Sequence, residues 1–378
     1  MTKILFSTGW TVAHLGEESQ ARPVTLPHDA MLAEPRSADS AGGTNTGWFA
    51  GRDYVYEKSF PAPAEWADRD VVLEFEGVYR NAEVWLNGEQ LAFHAYGYTG
   101  FYVPLTGRAR LGEDNTLRVI ARNADQPNSR WYTGAGIYRP VWLHVLPREH
   151  LDLNGVKIHT TDWESPTIHI DLSANCTGTA KVEVLDGSAV LAAGEVPVDR
   201  TGSLDLTLPG AELWSAETPH LYTCRVTLGD DVREVPFGVR VVSCGAESGF
   251  CLNGRRVILR GACVHHDNGL LGAITLPETE ERKVRLLKGA GYNAIRSSHN
   301  PCSKALLDAC DRLGMLVVDE YADMWYIHKT RYDYAAYLPD RWKDDLRDMV
   351  DKNCNHPCVV LYSIGNEVSE TAQPRGIQ

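Results

Sequence analysis

Near residue 242 the hydrophobic period of this chain changes, and few folds tolerate the pattern that follows. VILRGACV (257–264), YNAIRSSH (292–299), GMLVVDEY (314–321) and CVVLYSIGNE (358–367) are short, largely apolar runs. Helical spacing fills the intervals. The first helix opens at Thr275 and Pro277, with Glu278 completing a capping box, and carries Val284 and Leu287 to a stop at Gly291. Two more cover 303–314 and 341–353. Strands buried on both faces and alternating with helices predict a parallel sheet, because each parallel crossover needs a helix-length connection packed on the sheet. The order is β-α-β-α-β-α-β.

All four strands end in polar residues: His265-His266-Asp267, Ser298-His299-Asn300, Asp319-Glu320 and Asn366-Glu367. Parallel α/β folds bind ligands outside the carboxyl ends of their strands, so four successive polar ends mark a candidate site. Each also has a local explanation. The His-His-Asp run fits a loop or a metal pair, Pro301 ends any strand that reaches it, and Asp319-Glu320 can satisfy backbone or Arg groups. The carboxyl of Glu367 beside the amide of Asn366 suits glycoside cleavage. One carboxylic acid protonates the leaving oxygen, and a second carboxylate stabilises or attacks the sugar carbon.

Ahead of the switch the period is two. VVLEFEGV (71–78), NTLRVIAR (115–122) and PVWLHVL (140–146) read as strands, and EVWLNGEQLAF (83–93) as a hairpin turning at Asn87-Gly88. These predict a jelly-roll β-sandwich over 1–147. IHIDLSA (168–174), AKVEVLDG (180–187), GSLDLTL (202–208), HLYTCRVTL (220–228) and VPFGVRVV (235–242) predict a smaller immunoglobulin-like sandwich over 148–242, leaving 243–378 to the strand–helix unit.

A formal charge of −13 without a Lys/Arg run argues against nucleic acid or an anionic lipid surface as partner. No apolar stretch is long enough to span a membrane, and the N-terminus lacks the apolar core of a signal peptide. Nine cysteines, an odd number without framework spacing, fit reduced thiols in a cytoplasm. Cys354 and Cys358 have no second pair to complete a zinc site.

Seven segments, taken in order, resemble glycoside hydrolase family 2, most closely its β-galactosidase branch: VTLPHD (24–29), GVYRNAEVWLNGEQLAFHAYGYTGF (77–101), SRWYTGAGIYRPVWL (129–143), FCLNGRRVILRGACVHHD (250–267), NAIRSSHNP (293–301), DEYADMW (319–325) and NHPCVVLYSIGNE (355–367). The resemblance implies a jelly-roll sugar-binding domain, an immunoglobulin-like domain and a (β/α)8 barrel. It implies a retaining hydrolase with Glu367 as general acid/base, Asn366 on the 2-hydroxyl of a β-linked sugar and His299 near the substrate. His266, Asp267 and Glu320 are expected at the same strand ends, and Asn128 and Arg130 on a segment reaching in from the first domain. A divalent metal occurs in part of this branch, but no ligand motif matches, so no metal or other cofactor is expected.

The family's nucleophile is a Glu on a later strand. Residues 243–378 number 136 (378 − 243 + 1), about half of the ~250 a full barrel takes. No nucleophile is therefore expected in this chain, which should be inactive alone and associate, as a homo-oligomer, through the half-barrel's unpaired edges. Glu320 is the in-chain candidate to substitute. Galactosides are the expected substrates; a glucuronide, a mannoside, or a non-catalytic carbohydrate-binding role are the alternatives.

Overall fold

A computed structural model describes residues 2–372. The first unit is a sandwich of two antiparallel sheets. One has six strands, in the order 22–24, 10–14, 53–61, 114–122, 82–86, 89–94; the other has four, 2–5, 141–147, 69–75, 101–104. Alternating side chains, among them Trp10, Tyr56, Leu73, Phe75, Val84 and Leu117, fill the space between them. Asn87 (φ +52°) and Gly88 (φ +87°) make the expected turn, with Leu86 opposite Glu89.

The second unit differs from its expected strand list. The segments predicted at 168–174 and 180–187 are one strand, Thr167–Asp186, with a register shift between Ser173 and Thr177. Its first half pairs with Leu151–Asp162 and its second half with Tyr222–Leu228. Along its whole length it also pairs with Ala189–Thr207, so the five strands form one continuous hydrogen-bonded sheet around a core that includes Ile170, Val184, Val226 and Phe237.

A small antiparallel hairpin (Val242–Gly245, Gly249–Leu252) leads into the parallel sheet: β1 (Gly261–Val264), α1 (Pro277–Gly289), β2 (Ala294–Ser297), α2 (Lys304–Leu313), β3 (Leu316–Glu320), α3 (Leu338–Asn353) and β4 (Val359–Ser363). The four strands pair in sequence order and all in parallel. β1 is shorter than predicted, because the Val257 N–H still pairs with Phe250 O of the hairpin and the Arg260 N–H goes to Asn293 Oδ1. Thr275 and Glu278 do not cap α1. The cap residue is Leu276, whose N–H donates to Thr279 Oγ1, while Thr275 Oγ1 donates to Ala273 O. α2 starts and stops as its sequence predicts, with Ser303 Oγ accepting from the Leu306 N–H and Gly314 in the left-handed region.

The first sandwich docks on the carboxyl side of this sheet. Tyr79, Tyr96, Tyr98 and Tyr138 form one apolar cluster with Tyr321, Met324, Tyr334 and Leu338 of the barrel. Arg139, fully buried, donates to Tyr98 O at 2.8 Å and to Pro301 O at 2.9 Å. Lys304 Nζ reaches the buried Glu74 at 2.8 Å. Polar groups at such a junction stay where they find partners; here Arg139 is held through both Nη atoms, its buried Nε having no hydrogen-bond partner among the described residues, and Lys304 through Nζ.

Candidate active site

β3 ends on Glu320, whose side chain is fully buried. Its Oε1 lies 2.8 Å from His299 Nδ1, and its Oε2 accepts from Arg296 Nε at 3.0 Å and Ser363 Oγ at 2.6 Å. Burial alone would raise this carboxyl, but the hydrogen bonds from His299, Ser363 and Arg296 outweigh it and hold Glu320 below the usual range. A carboxylate at Nδ1 assigns the ring hydrogen there and leaves Nε2 of His299 for another partner. Arg296 also donates from Nη2 to Asn366 Oδ1 at 2.9 Å, which joins three strand ends in one network.

After β4 the chain turns sharply. Gly365 has no room for a side chain, since Trp325 Nε1 stands 2.6 Å from where its Cβ would lie. The Asn366 N–H donates to Ala322 O, fixing the turn to the loop after β3. Asn366 is itself buried, and its Nδ2 donates to Asp323 Oδ1 at 2.8 Å. One amide hydrogen and one lone pair remain for a ligand.

Glu367 comes next, with φ +46° and a side chain 67% exposed. Arg130 Nη1 donates to its Oε2 at 2.9 Å, and Lys329 Nζ stands 4.0 Å from the same oxygen. The Arg130 hydrogen bond and charge, then the Lys329 charge, hold the Glu367 carboxyl below its usual value. Among the described residues Oε1 has no hydrogen-bond partner. Two neighbouring carboxyls thus differ completely: Glu320 is sealed and saturated, Glu367 is open.

The facing wall comes from the first sandwich. Arg130 forks onto Asp323, with Nε–Oδ2 at 2.8 Å and Nη2–Oδ1 at 2.5 Å. Burial would raise Asp323; the bonds from Arg130 and Asn366, with the Lys329 charge, hold it low. Trp131 is 38% exposed, its ring 4.6 Å from that of His265 and 5.5 Å from that of His299. An exposed ring beside polar groups suits stacking on the apolar face of a sugar.

Of the residues predicted for the site, the structure gathers Glu367, Asn366, His299 and Arg130. Three others need correction. Asn128 lines the same cleft as Trp131, His299 and Asp323, but its side chain is already engaged there: its Oδ1 accepts from Tyr79 OH, and its Nδ2 donates to Asn123 Oδ1 and Asp125 O. His266 packs edge-on against Tyr98 and Tyr138, with Nε2 3.2 Å from Thr133 O, and burial pushes its pKa down to about 3. It is a wedge between domains, packed on two rings and tied to the first domain through Nε2, with its buried Nδ1 lacking a hydrogen-bond partner among the described residues. Glu320 holds Arg296 and His299 rather than facing a ligand, and with both oxygens occupied it has nothing to offer as a substitute nucleophile. Asp267 is half-buried in the loop after β1, where its charge bears on His265 and Tyr132.

Sequence reasoning passed over Arg296, Asp323, Lys329 and Trp131. Arg296 carried a signal: a charge inside an otherwise apolar parallel strand needs a buried partner. The links of Asp323 and Lys329 to Glu367 cross between elements and leave no local trace. Elsewhere, Asp308, Asp311 and His356 bring ligand atoms within 4.8 Å of one another. Asp311 is already engaged there by His356 Nδ1 at 2.5 Å and the Cys358 N–H at 3.0 Å, as a structural anchor is.

Three models of one family match the chain in succession: the galactose-binding domain-like model of glycosyl hydrolase 2 over residues 10–139, the glycosyl hydrolases family 2 model over 152–240, and the family 2 TIM barrel domain over 246–377. The chain is 37% identical to a β-galactosidase of Bacteroides ovatus (BoGH2A), an alignment spanning 97% of this chain and 46% of that protein. It is 27% identical to a β-glucuronidase of Bacteroides fragilis, over 97% and 56%. A family 2 crystal structure from Bacteroides cellulosilyticus superimposes with a TM-score of 0.92 at 36% identity, covering 99% of this chain and 53% of that one. The chain spans about half the length of the curated relatives it matches. Its two β-sandwiches followed by part of a TIM barrel, and the three family matches in that order, establish that the chain belongs to glycoside hydrolase family 2.

Proposed function

We propose that these residues carry the acid/base half of a retaining β-glycosidase, with terminal β-D-galactosides as substrates. The carrying observation is the contrast between the two carboxyls at neighbouring strand ends: Glu367 is 67% exposed on a braced turn, while Glu320 is sealed. In this reading Glu367 protonates the departing oxygen and then takes a proton from the attacking water. Asn366 donates its remaining amide hydrogen to a hydroxyl of the sugar, His299 Nε2 meets another, and Trp131 stacks on the ring. This reading requires a second carboxyl as nucleophile, expected on a later barrel strand, standing about 5 Å across the sugar from Glu367.

The likeness to a β-galactosidase at 37% identity supports galactosides. A glucuronide is the second reading, supported by the β-glucuronidases among the relatives and by Arg130 and Lys329 at the rim of the cleft. Paired aryl β-galactoside and β-glucuronide substrates, offered to the polypeptide with its complete barrel, separate the two. Preference for the galactoside supports the first, preference for the glucuronide the second, and hydrolysis of neither contradicts both.

A further inference from the structure

Arg130 belongs to the first sandwich, yet its guanidinium ends among the groups of the barrel. We infer that Arg130 is a positioning residue, a strut from the first domain that locks Asp323 with two nitrogens and the Glu367 carboxyl with the third, so that geometry and charge at the acid/base depend on a domain outside the barrel. The inference rests on the reading of Glu367 as acid/base.

The planar fork accounts for the choice of side chain. Nε and Nη2 take both oxygens of Asp323, and Nη1 is left pointing at Glu367 Oε2, 2.9 Å away. A lysine supplies the charge but not the three fixed directions. Asp323 in turn accepts from Asn366 Nδ2 at 2.8 Å, so the same guanidinium indirectly sets the amide beside Glu367. Glu367 sits on an exposed turn at φ +46°, and this strut and the Asn366 N–H to Ala322 O bond brace the turn from outside.

The charged groups facing Glu367 are Arg130 from the sandwich and Lys329 and Asp323 from the loop after β3. Two cations against one anion favour the carboxylate. That suits the second step, in which the group acts as base, and opposes the first, in which it must hold a proton. With the Arg130 charge gone, Glu367 keeps its proton to higher pH. The alkaline limb of the pH–rate profile, where a general acid loses its proton, must then move upward.

The test measures kcat/KM against pH, in the polypeptide with its complete barrel, on an aryl β-glycoside with a poor leaving group. Wild type is compared with Arg130→Gln, Arg130→Lys and Glu367→Gln, each checked for an unchanged circular dichroism spectrum. An opposite charge this close moves a carboxyl by about one unit or more when shielded, and less when exposed, so Arg130→Gln should shift the alkaline limb up by roughly half to one pH unit. Arg130→Lys should leave the limb near the wild-type position while lowering the rate about tenfold, because orientation is lost and charge is kept. A limb that stays in place in Arg130→Gln, while Glu367→Gln abolishes it, overturns the inference about Arg130 alone. A limb that survives in Glu367→Gln overturns the acid/base reading and the inference with it. Should Arg130→Gln fail to fold, a limb shifted in the folded Arg130→Lys variant as far as expected for the loss of the charge would contradict the division between charge and fork.

Discussion

Replacing Asp29 with Ala removes one carboxylate and leaves four donors without their acceptor. Oδ1 of this residue accepts from the Met31 and Ala135 N–H groups at 3.1 and 3.0 Å; Oδ2 accepts from the Ala273 N–H at 2.9 Å and Tyr132 OH at 2.7 Å. Asp29 is only 2% exposed, so water does not already share these bonds. An unsatisfied buried donor costs about 1–3 kcal/mol, which gives a gross loss on the order of 4–12 kcal/mol. Two effects reduce it. Water enters the space left by the carboxylate, and the charge itself was costly to bury, which is why its carboxyl is raised despite four hydrogen bonds. A net loss of about 3–5 kcal/mol is the result, a large share of the 5–15 kcal/mol typical of a domain.

Asp29→Asn is the control. It keeps the two bonds to Oδ1 but places an amide NH2 against the Ala273 N–H, and about half of the loss is expected. The assay is urea denaturation followed by tryptophan fluorescence, comparing midpoints at equal slope. A cost below about 1 kcal/mol for Asp29→Ala, or an equal cost for both variants, would refute the reasoning. Because Asp29 ties the first sandwich to the barrel and holds Tyr132, two residues from Arg130, kcat/KM should fall with stability.

Glu320→Gln leaves Arg296 and His299 without their shared carboxylate. A misplacement of about 1 Å in Asn366 and His299 should lower kcat roughly 10²-fold with a smaller change in KM, and a steady-state comparison of the two parameters checks this. His266 gives a stability signature in acid. Its folded pKa, about 3, lies below the ordinary value of 6.5, so the unfolded chain takes up a proton first and stability falls as pH drops from about 6.5 to about 3. His266→Phe should flatten that part of a plot of melting temperature against pH; an unchanged slope would assign acid sensitivity to other groups.

Much of the architecture was legible because it depends on period and punctuation. The apolar runs gave the parallel strands, and Asn87-Gly88, Ser303 and Gly314 fixed a turn and two helix ends through side-chain or backbone requirements that act locally. The failures were tertiary. Val257–Arg260 is as apolar and β-prone as Gly261–Val264, but its backbone groups are taken by a hairpin and by Asn293, and composition carries no record of that. His266 and Asn128 lie beside plausible site residues in sequence, while alternation along the chain turned them into the domain junction and into their own loop. Glu320 and Glu367 read alike as carboxyls at strand ends. Arg296 and Ser363 seal the first, and an exposed turn frees the second. The family resemblance already made Glu367 the acid/base, and the fold supplies the physical reason that Glu320 cannot share the role.

The most direct test of the account is the dependence of Glu367→Gln on the leaving group, measured in a polypeptide carrying the complete barrel. A general acid contributes about 10² to 10⁴ in rate when the leaving oxygen needs a proton, and little when it does not. A loss of that size is expected on an unactivated β-glycoside, with near wild-type cleavage of a strongly activated aryl β-glycoside in the glycosylation step. Equal losses on both substrates would contradict the account and remove Glu367 from the acid role.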